Sequence, residues 1–292
     1  MKHDRRVGTK HAFALGAALV IAAHPALAGA DEAATQPDQV RPSDDAWRHA
    51  IDRTWLYLDD AKVASPGVVV GMTSLAFTGV GSDPNRVYAP FAFNTGQPGW
   101  LTSLGGEVGL LPRLSVMALG QLGIGGSESR AGTKAGAIVG IRFQLSPDSW
   151  RTLHLVASGG YLREAWAQTS PSGDDGVWAE TALAAELRAL RFGVTAHGER
   201  VFANGRDKVD VMVKAGASYR VVGGFRLGAE WVGQDLEETF ADQAEGGARQ
   251  FVGPTASLQL LSDRLTVVGG PSLGLSDHSP KVLGRIALAY GF

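Results

Sequence analysis

The chain contains no cysteine. That excludes a disulfide framework, and with it any metal or redox site built on thiolates. Beyond the N-terminus there is no long apolar run either. Nothing after residue 28 reaches the ~18 consecutive apolar residues that a membrane-spanning helix needs. Positive charge is not in excess: 27 Lys and Arg stand against 29 Asp and Glu, with no basic patch to invite nucleic acid. Among His49, His154, His197 and His278, no two share a metal-ligand spacing. No metal or other cofactor is expected.

What the sequence does have is glycine. The 39 glycines lie inside apolar stretches with no collagen-like period, too many for a helical protein. The N-terminus is distinctive as well. Lys2, Arg5, Arg6 and Lys10 precede a short apolar core, Ala12 to Ala23, and Ala26, Leu27 and Ala28 supply the small residues of a cleavage box. Residues 1–28 therefore read as a secretory signal peptide, with a mature start at Gly29. Removing four basic groups and one acid leaves the mature chain net acidic. An exported chain without a spanning helix is either soluble or a β-barrel, the other fold that satisfies its backbone in lipid.

Residues 29–65 read as a polar linker followed by a short element. Ser43 can cap a helix with Trp47, Ile51, Trp55 and Leu58 on one face, although residues 54–60 also read as a strand. We expect a periplasmic or plugging segment. From residue 66 the period becomes two. Ala135, Ala137, Val139, Ile141, Phe143 and Leu145 alternate with Gly136, Ile138, Gly140, Arg142 and Gln144. Val177 to Leu187 and Val209 to Val221 behave in the same way. Such runs are close to the ~9–11 residues with which a tilted strand crosses a bilayer. The pattern predicts twelve strands, near 66–78, 98–110, 114–125, 133–145, 150–162, 177–189, 192–202, 208–221, 225–235, 250–261, 265–275 and 282–292. Short connections alternate with long ones such as 79–99, 168–176 and 237–248. The expected fold is an all-β transmembrane antiparallel barrel over 66–292. Pro254 and Pro271 each remove a ladder donor, so bulges or irregular pairing are expected there.

Phe143, Phe192, Tyr219, Phe225, Tyr290 and Phe292 share the apolar parity and sit at strand ends beside short turns or at the C-terminus, whereas Trp100, Tyr161 and Trp231 sit toward the long loops. Two aromatic girdles would look like this. The last strand, with Ile286, Leu288, Tyr290 and a terminal Phe292, resembles the C-terminal signature of Gram-negative outer-membrane β-barrel proteins, the porin-like class. The resemblance implies that these four residues form a signal read by the outer-membrane assembly machinery. It also implies outer-membrane lipid as the surroundings, and it does not name a cargo.

The inward parity carries Glu107, Lys134, Arg142, Glu180, Glu186, Arg188, Glu199, Asp210, Lys214, Arg220, Arg226, Glu230 and Arg285, with His154, His197 and several glutamines. Acids and bases nearly balance. Either they form salt bridges in a closed lumen, or they line water and pass small hydrophilic solutes. The small residues on the same face, among them Gly136, Gly216 and Ser218, favour passage. A closed barrel that binds through its loops is the alternative. The least favoured reading is an outer-membrane lipid hydrolase. His154 and Ser158 share a face, but four strand residues place them about 13 Å apart, beyond hydrogen-bond reach.

Overall fold

Alternation of buried and exposed residues runs the length of the strands and is most regular in Leu190–Val201. Strands of this kind close on themselves in the computed structural model, which describes Trp55, Leu58 and residues 61–78, 99–125, 132–147, 149–150, 152–166, 170–202, 209–234, 236, 249–276, 279 and 281–292. The strands are β1 (Val69–Thr78), β2 (Gly99–Leu111), β3 (Leu114–Gly125), β4 (Gly132–Gln144), β5 (Leu153–Trp166) and β6 (Ser170–Leu187). They continue as β7 (Leu190–Val201), β8 (Asp210–Val222), β9 (Phe225–Gln234), β10 (Arg249–Leu260), β11 (Leu265–Gly274) and β12 (Val282–Gly291). Each strand pairs antiparallel with its sequence neighbours, and β1 pairs with β12, so the fold is a closed twelve-strand antiparallel barrel. Closure leaves no sheet edge.

At one end the strands join through turns at 112–113, 188–189, 223–224 and 261–264, with a longer link at 145–152. Gly223, at φ 52°, takes the left-handed conformation that the two-residue β8–β9 turn requires. At the same end Phe292 N–H donates to Val69 O at 2.9 Å, extending the β1–β12 closure by one residue. Phe292 meets Tyr290 edge to face, with ring centroids 4.9 Å apart.

The outer face is apolar. Leu104, Ile141, Leu183, Leu227 and Ile286 all present their side chains outward, together with Phe143, Phe192, Tyr219 and Phe292 near the short turns and Trp100 and Tyr161 toward the other end. The interior holds Glu107, Arg142, Arg191, His197 and Glu230, all buried. Apolar outside and charged inside is the reverse of a water-soluble domain. It is the arrangement that a barrel wall in lipid demands.

Three sequence expectations need adjustment. Strand β6 begins at Ser170, not 177, so most of the expected loop at 168–176 belongs to a β5–β6 hairpin in which Glu164 pairs with Asp174. Strand β6 also ends at Leu187, which leaves Arg188 exposed in the turn at φ 58°. Pro254 and Pro271 do carry the irregular pairing expected of them, as a gap without a shift of register. Pairing lapses between Val252↔Leu273 and Ala256↔Gly269 and resumes in the same frame, which sets the two prolines opposite one another. Each lacks the N–H that the other's carbonyl would accept, so one gap serves both. Of the expected N-terminal helix, only Trp55 and Leu58 fall among the described residues, and neither is helical.

Candidate functional site

Trp55, Leu58 and residues 61–64 lie inside the barrel toward the end with short turns, and five of them are buried: Trp55, Leu58, Ala61, Val63 and Ala64. The wall makes room for them with glycine. A Cβ on Gly193 would stand 2.7 Å from Leu58 Cδ2, one on Gly216 would stand 3.0 Å from the Trp55 ring, and one on Gly109 would stand 1.9 Å from Ser65 O. Ala61 packs on Ala182 and Ala184.

Carboxylates of the wall hold the backbone of this segment. Glu107 is 1% exposed and accepts three hydrogen bonds: from Ala64 N–H at 2.8 Å, Ser115 Oγ at 2.6 Å and Arg142 Nη1 at 2.5 Å. Glu230 Oε2 accepts the Leu58 N–H at 3.1 Å. Glu186 Oε1 takes Lys62 Nζ at 3.3 Å and Arg191 Nη2 at 2.5 Å, while the Arg191 guanidinium also lies 6.0 Å from the Trp55 ring centre. Buried charges are tolerated only when paired and hydrogen-bonded in this way.

The other charged residues expected in the lumen fall into distinct places. Glu180, Glu199 and Lys214 face inward around His197, whose Nδ1 is 3.2 Å from Glu180 Oε2 and whose Nε2 is 3.4 Å from Glu199 Oε2. Lys214 Nζ stands 3.9 Å from Glu180. Register puts Lys214 opposite Val232 and Glu230 opposite Gly216, so those two charges are diagonal neighbours. Asp210 lies opposite Glu199. Arg226 is buried against Ser218 Oγ, and Arg285 reaches Ser74 Oγ at 3.4 Å. Arg188 and Arg220 correct the expectation. Both are exposed at the turns, the second beside a register shift between Arg220 and Val222. Lys134 lies in β4, with its side chain outside the described residues.

Sequence reasoning passed over Arg191, placed in a turn although it is 1% exposed. The signal was available: Phe192 is outward, so its neighbour must be inward if the strand starts earlier. With a carboxylate at each ring nitrogen, His197 lacks the free nitrogen that would activate a serine hydroxyl.

Above the N-terminal segment is a cavity of about 210 Å³. Its wall is largely apolar. Met212, Val232, Phe251 and Val268 form one cluster, and Trp178 with Met117 and Ile138 belongs to another. The inward face thus mixes apolar side chains with the small, polar and charged groups that alternation predicts.

No protein-family model matches the sequence, and no curated protein matches it. The fold is similar to that of an outer-membrane channel from Pseudomonas putida F1, with a TM-score of 0.55 and 11% identity over 82% of this chain and 100% of the other. A KdgM porin in complex with disordered oligogalacturonate gives 0.46 and 6% identity over 77% and 99%. The translocator domain of the autotransporter NalP from Neisseria meningitidis gives 0.43 and 13% identity over 78% and 89%. At such identities the likeness is one of fold, and the structural neighbours are outer-membrane barrel proteins.

Proposed function

We propose that the protein is an outer-membrane channel for small solutes, narrowed at its periplasmic mouth by its own N-terminal segment. The observation that carries this reading is the cavity enclosed by an apolar-walled barrel and floored by Trp55 and Leu58. A purely structural barrel has no need of such a space, because side chains would fill it. The wall also bears on the class of solute we propose. The small residues among the inward charges favour passage of small hydrophilic solutes, whereas Met117, Ile138, Met212 and Phe251 in the cavity wall favour solutes that also have an apolar part. The closed, loop-binding alternative draws on the same N-terminal segment, and one experiment separates the two.

Ion conductance of the mature protein in planar bilayers should show small channels, and a chain starting at Ser65 should conduct several-fold more. Silence from both forms would overturn the channel reading. Export would remove residues 1–28, and N-terminal sequencing of the membrane form should read from Gly29. We further propose that Ile286, Leu288, Tyr290 and Phe292 are read by the assembly machinery. Deleting Phe292 should then lower the yield of heat-modifiable barrel in the outer membrane, while undiminished yield would reduce the motif to an ordinary last strand.

A further inference from the structure

We propose that the cavity binds a small monocarboxylate with an apolar body, held at its head by Arg285, Ser74 and Ser103. The proposal rests on the lumen being the solute's path and names the solute's chemistry. Strand register builds the head site. Ser74 of β1 and Ser103 of β2 stand directly opposite each other, and Arg285 of β12 is diagonal to Ser74, whose own partner on that strand is Ala287. All three side chains line the cavity. Their contacts join them into one group: the two hydroxyl oxygens are 2.5 Å apart, and Arg285 Nη2 donates to Ser74 Oγ at 3.4 Å.

Counting protons shows what this group can receive. Two hydroxyls carry two protons, and one of them is spent between Ser74 and Ser103. Whichever hydroxyl donates, the other O–H is left without an acceptor among the described residues. Arg285 cannot supply one, because a guanidinium carries five N–H donors and no acceptor. A molecule bound here must therefore accept hydrogen bonds, and beside a guanidinium an anionic acceptor gains most. The planar fork of arginine matches the two oxygens of a carboxylate. An ammonium is repelled, and an alcohol takes the hydrogen bonds without the charge.

The surroundings fix the rest of the molecule. On β12 the inward residues on either side of Arg285 are Leu283 and Ala287, and both pack against the cluster of Met212, Val232, Phe251 and Val268. That cluster also lines the cavity, so the head site adjoins an apolar wall. The acid on the cavity wall, Glu180, belongs to β6, the strand diametrically opposite β12 in the closed order. There it stands beside His197, with Lys214 Nζ 3.9 Å away, so its repulsion of an anion at Arg285 is weak. An apolar cavity of roughly 150 Å³ accommodates benzene, and this one measures about 210 Å³. That suits one ring or a short chain plus its carboxylate. It falls below the roughly 300–1,000 Å³ of sites for drug-sized ligands. Inorganic phosphate would leave the apolar wall unused.

The test is calorimetric titration of benzoate into the full mature protein in lipid nanodiscs at neutral pH, with empty nanodiscs subtracted. Saturable one-site binding is expected. Benzyl alcohol keeps the ring but loses the charge, and it should bind at least about tenfold more weakly. Arg285→Met keeps an unbranched stem and drops the guanidinium. It should weaken benzoate by a similar factor and leave benzyl alcohol unchanged. Ser74→Ala should weaken benzoate about two- to tenfold. Absence of saturable heat, equal affinity for benzoate and benzyl alcohol, or benzoate binding indifferent to either variant would each overturn the proposal and leave these donors to water alone. If the variants do not fold, benzylamine on the unaltered protein replaces them. It should bind at least about tenfold more weakly than benzoate, and equal affinity would move the head to Glu180 and overturn the site. Conductance is recorded separately. A conducting barrel without saturable binding removes the site and keeps the channel, whereas saturable binding by a silent barrel does the reverse.

Discussion

The lumen has two regions built on opposite principles. Around the N-terminal segment, every charge described is fastened: Glu107 to Ala64, Ser115 and Arg142, Glu230 to Leu58, and Glu186 to Lys62 and Arg191. Over the cavity the wall is mostly methionine, phenylalanine, valine and leucine, with polar groups around His197 and a second set at Ser74, Ser103 and Arg285. The first region is specified by directional bonds, in which each partner has one place to be. The second relies on soft, adaptable surface, which tolerates change and leaves space. A barrel interior can thus be rigid where the chain is held and permissive around a cavity.

The contrast can be broken in graded steps. The largest loss should follow Arg142→Met, which leaves Glu107 buried without its cation and should cost about 3–5 kcal/mol in a urea unfolding series. A loss below 1 kcal/mol would mean that water reaches this region and that the two regions are alike. Next comes Gly109→Ala. Its new carbon would collide with the Ser65 backbone, and lifting residues 64–65 should cost about 1–3 kcal/mol; it should also raise bilayer conductance. Glu230→Gln keeps a carbonyl for the Leu58 N–H but loses the charge. About 1 kcal/mol is expected, and no loss at all would indicate a solvated carboxylate. The smallest effect belongs to the cavity wall. Met212→Leu should cost under ~1.5 kcal/mol, and a larger loss would show a wall as tightly specified as the floor.

Much of this architecture can be read from alternation alone. Period two recovers twelve strands because lipid punishes any lapse on the outer face, and the large outward residues Val139, Ile141 and Phe143 are the evidence. Parity also places Glu107, Arg142 and Glu230 inside. Which partner each finds depends on barrel closure, and on a segment whose contacts lie 43 residues away for Ala64–Glu107 and 172 for Leu58–Glu230. No local pattern encodes those distances. The apolar wall is hidden for a related reason: Met212 and Phe251 sit on the inward face, where a two-letter alphabet expects polar residues. Arg188 and Arg220 are misplaced because a strand's last inward position looks like any other until the turn geometry is known.

The facing prolines of β10 and β11 have a mechanical meaning. Along most of its seams the staves of this cask are cinched by long runs of cross-links, but in the middle of the β10–β11 seam, between Val252↔Leu273 and Ala256↔Gly269, the cinching is missing. Because the register resumes unshifted, the flaw stays local and no side chain changes sides. The wall should therefore breathe there first. Amide hydrogens that face this seam at the borders of the gap, those of Val252, Ala256, Gly269 and Leu273, should exchange with solvent deuterium sooner than those of β3 and β4, whose cross-links run without interruption from Leu114↔Phe143 to Gly125↔Gly132.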